Sequence, residues 1–473
     1  MLSVALQRDD AIPLVRQLHD HLRELILTGR LSAGSRLPST RKLSRDLQVS
    51  RTVTLDAFGQ LAAEGFLETR RGSGHFVAQL QLPRSDQGPA AAASEAIDDA
   101  GPSIWSRDGS PFDPSWQAVD LFPAQAWTRM LGRGSRRHRT QLLQRHWGGL
   151  PALREALAEH LHALRGIALG ADEVMITSGN ADALTLIARA LGRDGQAWVE
   201  DPGLGTARQT FQREGMTIVA VPIDAEGMQV AAGERRAPDA ALALVTPTRQ
   251  FPLGMPLSLP RRLALLDWSR RSGAVLIDDD YDGEIRFAGR PLRSLASLDP
   301  TARVLTLGSF SKLTFPGMRL GYIAGPADLI ARLVECRRET YALMPATGQA
   351  ALAEFILTGG FARHLRALRS ALTRRRKLLV DALGRDADEL VEILPQEVGM
   401  HLSVRLRSAI DRSSDVELSA RAREAGLVLL PLSQQYVEAE PETGFLLGYA
   451  GWADSQMLPA IARLIELLRA VRG

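Results

Sequence analysis

Residues 303–322, RVLTLGSFSKLTFPGMRLGY, run from an apolar stretch with strand character (303–307) into two serines, a lysine and an arginine. Lys312 stands between Ser311 and Leu313, with Phe310 and Phe315 close by. A lysine in a loop is ordinarily a solvated charge. One placed among apolar residues where a buried strand ends is partly withdrawn from water. There an ammonium group loses proton affinity and becomes a usable amine nucleophile. Such an amine can hold the aldehyde of pyridoxal phosphate as a Schiff base. That reading requires two further features: a carboxylate for the pyridine nitrogen and a helix N-terminus for the phosphate.

The surrounding sequence offers candidates for both. From about Phe112 onward strands and helices alternate, and polar residues follow short apolar runs at 173–191, 197–215, 241–254, 273–284 and 303–312. In open α/β sheets ligand groups gather at the C-terminal ends of the strands, so one crevice would collect all five segments. Ser178, Gly179 and Asn180 open a helix directly after a strand, and the free N–H groups there form an anion site. LIDDDYD (276–282) places carboxylates and a tyrosine at a strand end. Asp279, with Asp278 as the alternative, is expected to keep the pyridine nitrogen protonated, and Tyr281 to donate to the phenolic oxygen. Arg319, seven residues after Lys312, is expected to clamp the phosphate together with Ser309 and Ser311. No metal site is expected.

The first eighty residues read differently. Leu14, Leu18, Leu22, Leu25 and Ile26 share one helical face in 13–31, ended by Gly29. LPSTRKLSRDL (37–47) is a second helix opened by Pro38 and a Ser39/Thr40 cap. Residues 49–66 form a third, capped by Ser50 and ended by Gly65, and FLETRRGSGHFVA (66–78) is a hairpin. Three helices and a hairpin are the pattern of a winged helix-turn-helix, whose third helix enters the major groove N-terminus first. Ser50, Arg51, Thr52 and Thr54 would then lie nearest the bases, with Arg51 able to pair with guanine. Arg36, Arg41 and Lys42 suit phosphates. Arg70, Arg71 and His75 flank the turn Gly72-Ser73-Gly74, which would reach the minor groove. The charge balance agrees with this. Residues 1–80 hold 11 Lys/Arg against 8 Asp/Glu, an excess equal to the net +3 of all 473 residues.

These readings divide the chain into a DNA-binding domain (1–79), a tether (80–111) and a large domain (112–473). The tether is rich in Ala, Ser, Pro, Gly and Asp and lacks an apolar period. Cys336 is the single cysteine, which excludes an internal disulfide framework and fits a reducing compartment. No apolar run is long enough to span a membrane, and acidic residues interrupt the N-terminus where a secretory signal would have its apolar core. A cytoplasmic protein is expected.

The string from GRLSAGSRLPSTRKLSRDLQVSRT to RRGSGHFV closely resembles the GntR family of bacterial DNA-binding domains. The order of SGN, DDDY and SFSK followed by Arg319 resembles fold-type I pyridoxal phosphate enzymes of the aspartate aminotransferase kind. With EDPG, QFPLG, DDDYDGE and FSKLTFPGMRLGY, the whole chain resembles the MocR-type regulators, the GntR subfamily with an aminotransferase-like effector domain. The resemblance implies an α+β winged helix-turn-helix followed by an α/β fold-type I domain with a smaller C-terminal α+β subdomain. It also implies binding of an operator in double-stranded DNA, with the wing including Arg71 and Gly72, and sensing of an amine or amino-acid effector, or of the cofactor itself, through Lys312. A head-to-tail, domain-swapped homodimer is implied as well.

The chain departs from that pattern at several places. Leu204 replaces the aromatic usual after EDPG, and Leu150 replaces the tyrosine usual before the LREAL string. Leu430 and Gln434 stand where an arginine is common, and Arg249 stands where histidine is usual. Arg208 and Arg249 remain as candidates for an acidic effector. Two alternatives follow: a working aminotransferase carrying a DNA-binding module, and a DNA-binding protein whose large domain only dimerises.

Overall fold

The structure is a computed structural model, and it describes residues 6–7, 12–70, 73–79, 110–192, 194–287, 293–407 and 414–470. The chain separates into two compact units, Met1–Asp99 and Ala100–Gly473.

In the first unit, helices α1 (Leu14–Leu27), α2 (Thr40–Asp46) and α3 (Arg51–Ala63) precede the antiparallel strands β1 (Leu67–Arg70) and β2 (Gly74–Val77). The caps are those read from the sequence. The Ser39 hydroxyl accepts from the Lys42 N–H and the Ser50 hydroxyl from the Val53 N–H, each satisfying a first-turn donor. Leu18, Leu22 and Ile26 of α1 meet Leu43, Phe58, Leu61, Leu67 and Val77 in one apolar core. Leu14 and Leu25 stay half-buried at its rim.

The second unit is built on an eight-stranded sheet. In chain order its strands are β3 (Val174–Thr177), β4 (Gln196–Asp201), β5 (Thr217–Asp224), β6 (Gly227–Met228), β7 (Leu242–Val245), β8 (Val275–Asp279), β9 (Val304–Ser309) and β10 (Gly321–Ala324). Across the sheet the order is β3-β10-β9-β8-β7-β4-β5-β6. Neighbours from β9 to β5 pair in parallel, while β10 runs antiparallel to both β3 and β9. Strands β3, β7, β8 and β10 are buried at every residue, as expected when both faces of a sheet are covered.

A smaller antiparallel sheet follows: β11 (Val391–Ile393), β12 (His401–Leu406), β13 (Leu430–Pro431) and β14 (Gly444–Gly448), in the order β11-β12-β14-β13. It packs with the helices Gly360–Asp386 and Asp454–Ala470 into an apolar core continuous with the large sheet's flank. Most of the expected tether lies outside the described residues. At its end, however, Pro111 is already part of the folded unit: its carbonyl accepts from the Val428 N–H (2.9 Å), and Phe112 is fully buried. Among the described residues no helix is long and apolar enough to cross a membrane.

Candidate cofactor site and nucleic-acid interface

Strands β3, β4, β7, β8 and β9 all end at the same edge of the large sheet. Registry aligns the expected residues there. Gly321, at the start of β10, pairs with Thr177 on one side and Ser309 on the other, and Asp279 pairs with Leu307 two residues before Ser309. Segments 100 and more residues apart in sequence thus converge at one rim.

Lys312 lies in the short helical turn Phe310–Leu313 that leaves β9. It is half-buried, with Nζ 4.4 Å from the centroid of the Tyr281 ring. Burial lowers its pKa from the ordinary lysine value, opposed by Asp282 and Asp279 and assisted by Arg249. Asp279 is buried, and its Oδ1 accepts from the Asn180 side-chain amide at 2.8 Å. Burial pushes its pKa up to about 7, against the pull of Lys312 and Asn180. Burial likewise holds the Tyr281 phenol well above its ordinary value, so it remains an O–H donor. Asp278, the alternative partner, instead accepts from the Leu295 N–H at 3.2 Å.

The residues fit pyridoxal phosphate on the structure's own evidence. Asp279 Oδ2 is buried without a hydrogen-bond partner, as is Ser311 Oγ. A carboxylate oxygen in that condition is costly unless a donor arrives. Gly179 caps the helix Asn180–Leu191 at φ +101°, a conformation glycine tolerates, and the space where a Cβ would stand is open. First-turn N–H groups of that helix lack intrahelical acceptors. The Ser178 N–H is the exception in the cradle, since it donates to Asp182 (2.8 Å). Arg319 is exposed.

The two effector candidates part company. Arg208, on the helix Gly205–Arg213, is half-buried and has no ion pair among the described residues. Arg249 is no open clamp. It is 2% exposed, and its guanidinium already donates to Asp282, Gln396 and His401. A carboxylate-binding role for it is corrected on that ground. Leu430 sits in an apolar cluster with Leu432, Leu446, Phe251, Leu253 and Tyr436. Leu204 packs on the flank of the sheet core. Sequence reasoning missed His401, Gln396 and Asp282 as site residues. Only the DDDYD string carried a signal for Asp282, and nothing local marked the other two.

In the first unit Arg41, Arg51 and Thr52 are exposed at the N-termini of α2 and α3. Arg36 is exposed too, and bridges to Phe76 on the wing. Ser50 spends its acceptor on the cap and keeps its hydroxyl proton for a partner. His75 is half-buried, shares a hydrogen bond with Thr69 (3.0 Å) and stands edge-on to Phe58. Arg71 and Gly72 lie outside the described residues. Thr54 does not face the bases. It is fully buried, and its hydroxyl lies within hydrogen-bond reach of two carbonyls, Arg51 in its own helix (2.9 Å) and Thr40 in α2 (3.2 Å).

Two family models match the chain: the gntR family of bacterial regulatory proteins over residues 14–77, and aminotransferase class I and II over residues 120–464. The probable rhizopine catabolism regulatory protein MocR of Rhizobium meliloti is 36% identical over 487 residues, covering 99% of this chain and 97% of that protein. The pyridoxine biosynthesis transcriptional regulator PdxR of Corynebacterium glutamicum is 28% identical, covering 98% of each. Among solved structures, the kynurenine aminotransferase of Pyrococcus horikoshii superposes with a TM-score of 0.69 at 26% identity, covering 78% of this chain and 92% of its own. The two-part match, and the cradle at the sheet edge, lead to one assignment: the chain belongs to the MocR-type transcriptional regulators, in which a GntR-family winged helix-turn-helix is joined to an aminotransferase-like domain that binds pyridoxal phosphate.

Proposed function

We propose that the large domain is the sensor of this regulator and that Lys312 is its covalent anchor for the cofactor. The sensed compound is then an amine or amino acid, or the cofactor itself. The observation that carries this is the pairing of Lys312, its pKa lowered by burial, with a buried Asp279 oxygen that has no partner. When bound, pyridoxal phosphate supplies an aldehyde that condenses with primary amines and a ring that withdraws electrons. The chain's own residues do the rest. Asp279 would accept a hydrogen bond from the pyridinium N–H, Tyr281 would donate its hydroxyl hydrogen to the phenolic oxygen, and Ser178, Gly179, Asn180, Ser309, Ser311 and Arg319 would hold the phosphate. Arg208 is the cation left for an acidic group on the effector. An apolar Leu430 supports an effector contact unlike the arginine clamp of a standard aminotransferase.

DNA contact is assigned to Arg36, Arg41, Ser50, Arg51, Thr52 and His75, with Arg71 and Gly72 at the wing. The active species is a head-to-tail homodimer presenting two such modules, in the cytoplasm. An effector changes operator affinity only as far as it distinguishes two states of the dimer.

The test is borohydride reduction of the cofactor-loaded protein followed by peptide mapping. The label is expected on the peptide carrying Lys312 and is expected to vanish in Lys312→Ala with the fold retained. A label on another lysine rejects the assignment.

A further inference from the structure

Arg249 stands where three parts of the second unit meet. It leaves the end of β7, Tyr281 and Asp282 follow β8, and Gln396 and His401 belong to the C-terminal subdomain. Its Nη1 donates to the Tyr281 hydroxyl oxygen (3.2 Å) and to Asp282 (2.9 Å). Its Nη2 donates to Gln396 Oε1 (2.8 Å) and to the His401 carbonyl (2.9 Å). The subdomain is shaped around it. A Cβ on Gly399 would lie 2.4 Å from Nη1, and Gly399 has φ +111°. The Gly399 carbonyl is held in turn by the Tyr449 hydroxyl at 2.6 Å.

A buried arginine bound on both sides of a subdomain boundary transmits the position of one side to the other. We propose that Arg249 is a positioning residue that ties the C-terminal subdomain to the Tyr281 hydroxyl, so that the placement of that subdomain governs where Tyr281 directs its hydroxyl hydrogen in the site around Lys312. This rests on the Lys312 reading above.

The chemistry follows from donor geometry. A phenol oxygen that accepts from a guanidinium must direct its own hydrogen elsewhere. Arg249 cannot act as an acceptor, so the Tyr281 O–H is left for another acceptor, the role proposed for it toward the phenolic oxygen of the cofactor. If Gln396 and His401 move, the fork moves with them, and both the orientation of Tyr281 and the nearby positive charge change. The groups facing Lys312 are Asp279, Tyr281 and Asp282 from the β8 end, Arg249 from the β7 end and His401 from β12. Glu200, from β4, faces Asp279. Of these, His401 is held neutral by burial and by its cationic neighbours. Arg249 is therefore the cation that opposes protonation at Lys312, and Asp279 and Asp282 favour it. Removing Arg249 also leaves Asp282 without its ion-pair partner, which acts in the same direction.

The experiment is a pH titration of the visible absorption of the full-length, cofactor-loaded protein, comparing wild type with Arg249→Gln, Gln396→Ala, Tyr281→Phe and Gln396→Ala/Tyr281→Phe. Arg249→Gln is expected to raise the midpoint by about one pH unit or more. Gln396→Ala, which keeps every charge, is expected to move it in the same direction by less. It is expected to have little effect once Tyr281 is phenylalanine. An unmoved midpoint in Gln396→Ala overturns the coupling, whether or not Arg249→Gln accumulates as folded protein. An equal Gln396→Ala shift with and without the Tyr281 hydroxyl overturns the route through Tyr281. A wild-type protein with no pH-dependent visible band overturns the Lys312 reading together with this one. A normal wild-type titration with unmoved variants overturns this one alone.

Discussion

Asp279 shows how a single buried group carries opposite consequences for stability and for binding. Its carboxyl is raised to about 7 by burial, whereas in the unfolded chain it titrates near 4. Between those values the folded protein holds a proton that the unfolded chain has released. The folded state therefore loses stability as pH rises from about 4 through about 7, and the cost is fully present above that. Asp279→Asn removes it. The cofactor-free variant is expected to be more stable than wild type at pH 8, by of order 1–3 kcal/mol, with the gap narrowing as pH falls and closing only below about pH 4, where the carboxyl is protonated in both states. Thermal unfolding of both proteins across about pH 3.5 to 8 checks this. The same substitution is expected to weaken cofactor retention in dialysis, because the pyridinium loses its counter-charge. A destabilised apo-protein at pH 8 would contradict the account. Asp278, Asp280 and Glu200 are raised in the same direction, so the wild-type slope contains their contributions as well.

Among the elements, α3 separates two kinds of residue that look alike in sequence. Arg51 is exposed at its first position, and Thr54 one turn later is buried against α2. Arg51→Ala is expected to lower discrimination between operator and random DNA by roughly 1–3 kcal/mol, with little change in non-specific binding at fixed salt. Thr54→Val is expected to do the reverse. It deletes a buried hydroxyl hydrogen bond, shared between the Arg51 and Thr40 carbonyls and worth about 1 kcal/mol of stability, and leaves the preference for operator over random DNA intact. Competition binding at one salt concentration, with thermal melts of both variants, distinguishes them. Equal losses on both DNAs for Arg51→Ala would make it a phosphate contact. Sheet registry is the other element-scale result: Gly321 is the position that brings Thr177 and Ser309 together.

For the molecule as a whole, the proposed dimer sets the form of the target. Each DNA-binding module has only a small positive excess, so one module alone binds modestly and salt-sensitively. Two modules joined through their large domains raise the effective concentration of the second. The full-length protein is expected to bind a two-half-site operator roughly 10²–10⁴-fold more tightly than a single half-site at the same salt. Titration of both duplexes, with sedimentation to establish the species present, checks it. Equal affinities would remove dimerisation from the recognition mechanism.

What could be read from the chain alone follows the range of the forces involved. Helix caps at Ser39 and Ser50, the apolar face of α1 and the strand-end placement of Lys312, Asp279 and Ser178 depend on neighbours within a few residues, and all are legible in the sequence itself. So is the division into a DNA-binding part and an α/β part, because hydrophobic period and motif order are themselves linear. The fates of Thr54 and Arg249 are not. Thr54 is buried because α3 crosses α2, and its partner Thr40 lies 14 residues away. Arg249 reads in sequence as a candidate for an acidic effector, yet Gln396 and His401, about 150 residues later, enclose it. An isolated arginine in sequence is a charge seeking a partner. Whether that partner is an effector or the protein itself is decided by which surfaces pack together, and that packing is a property of the tertiary fold alone.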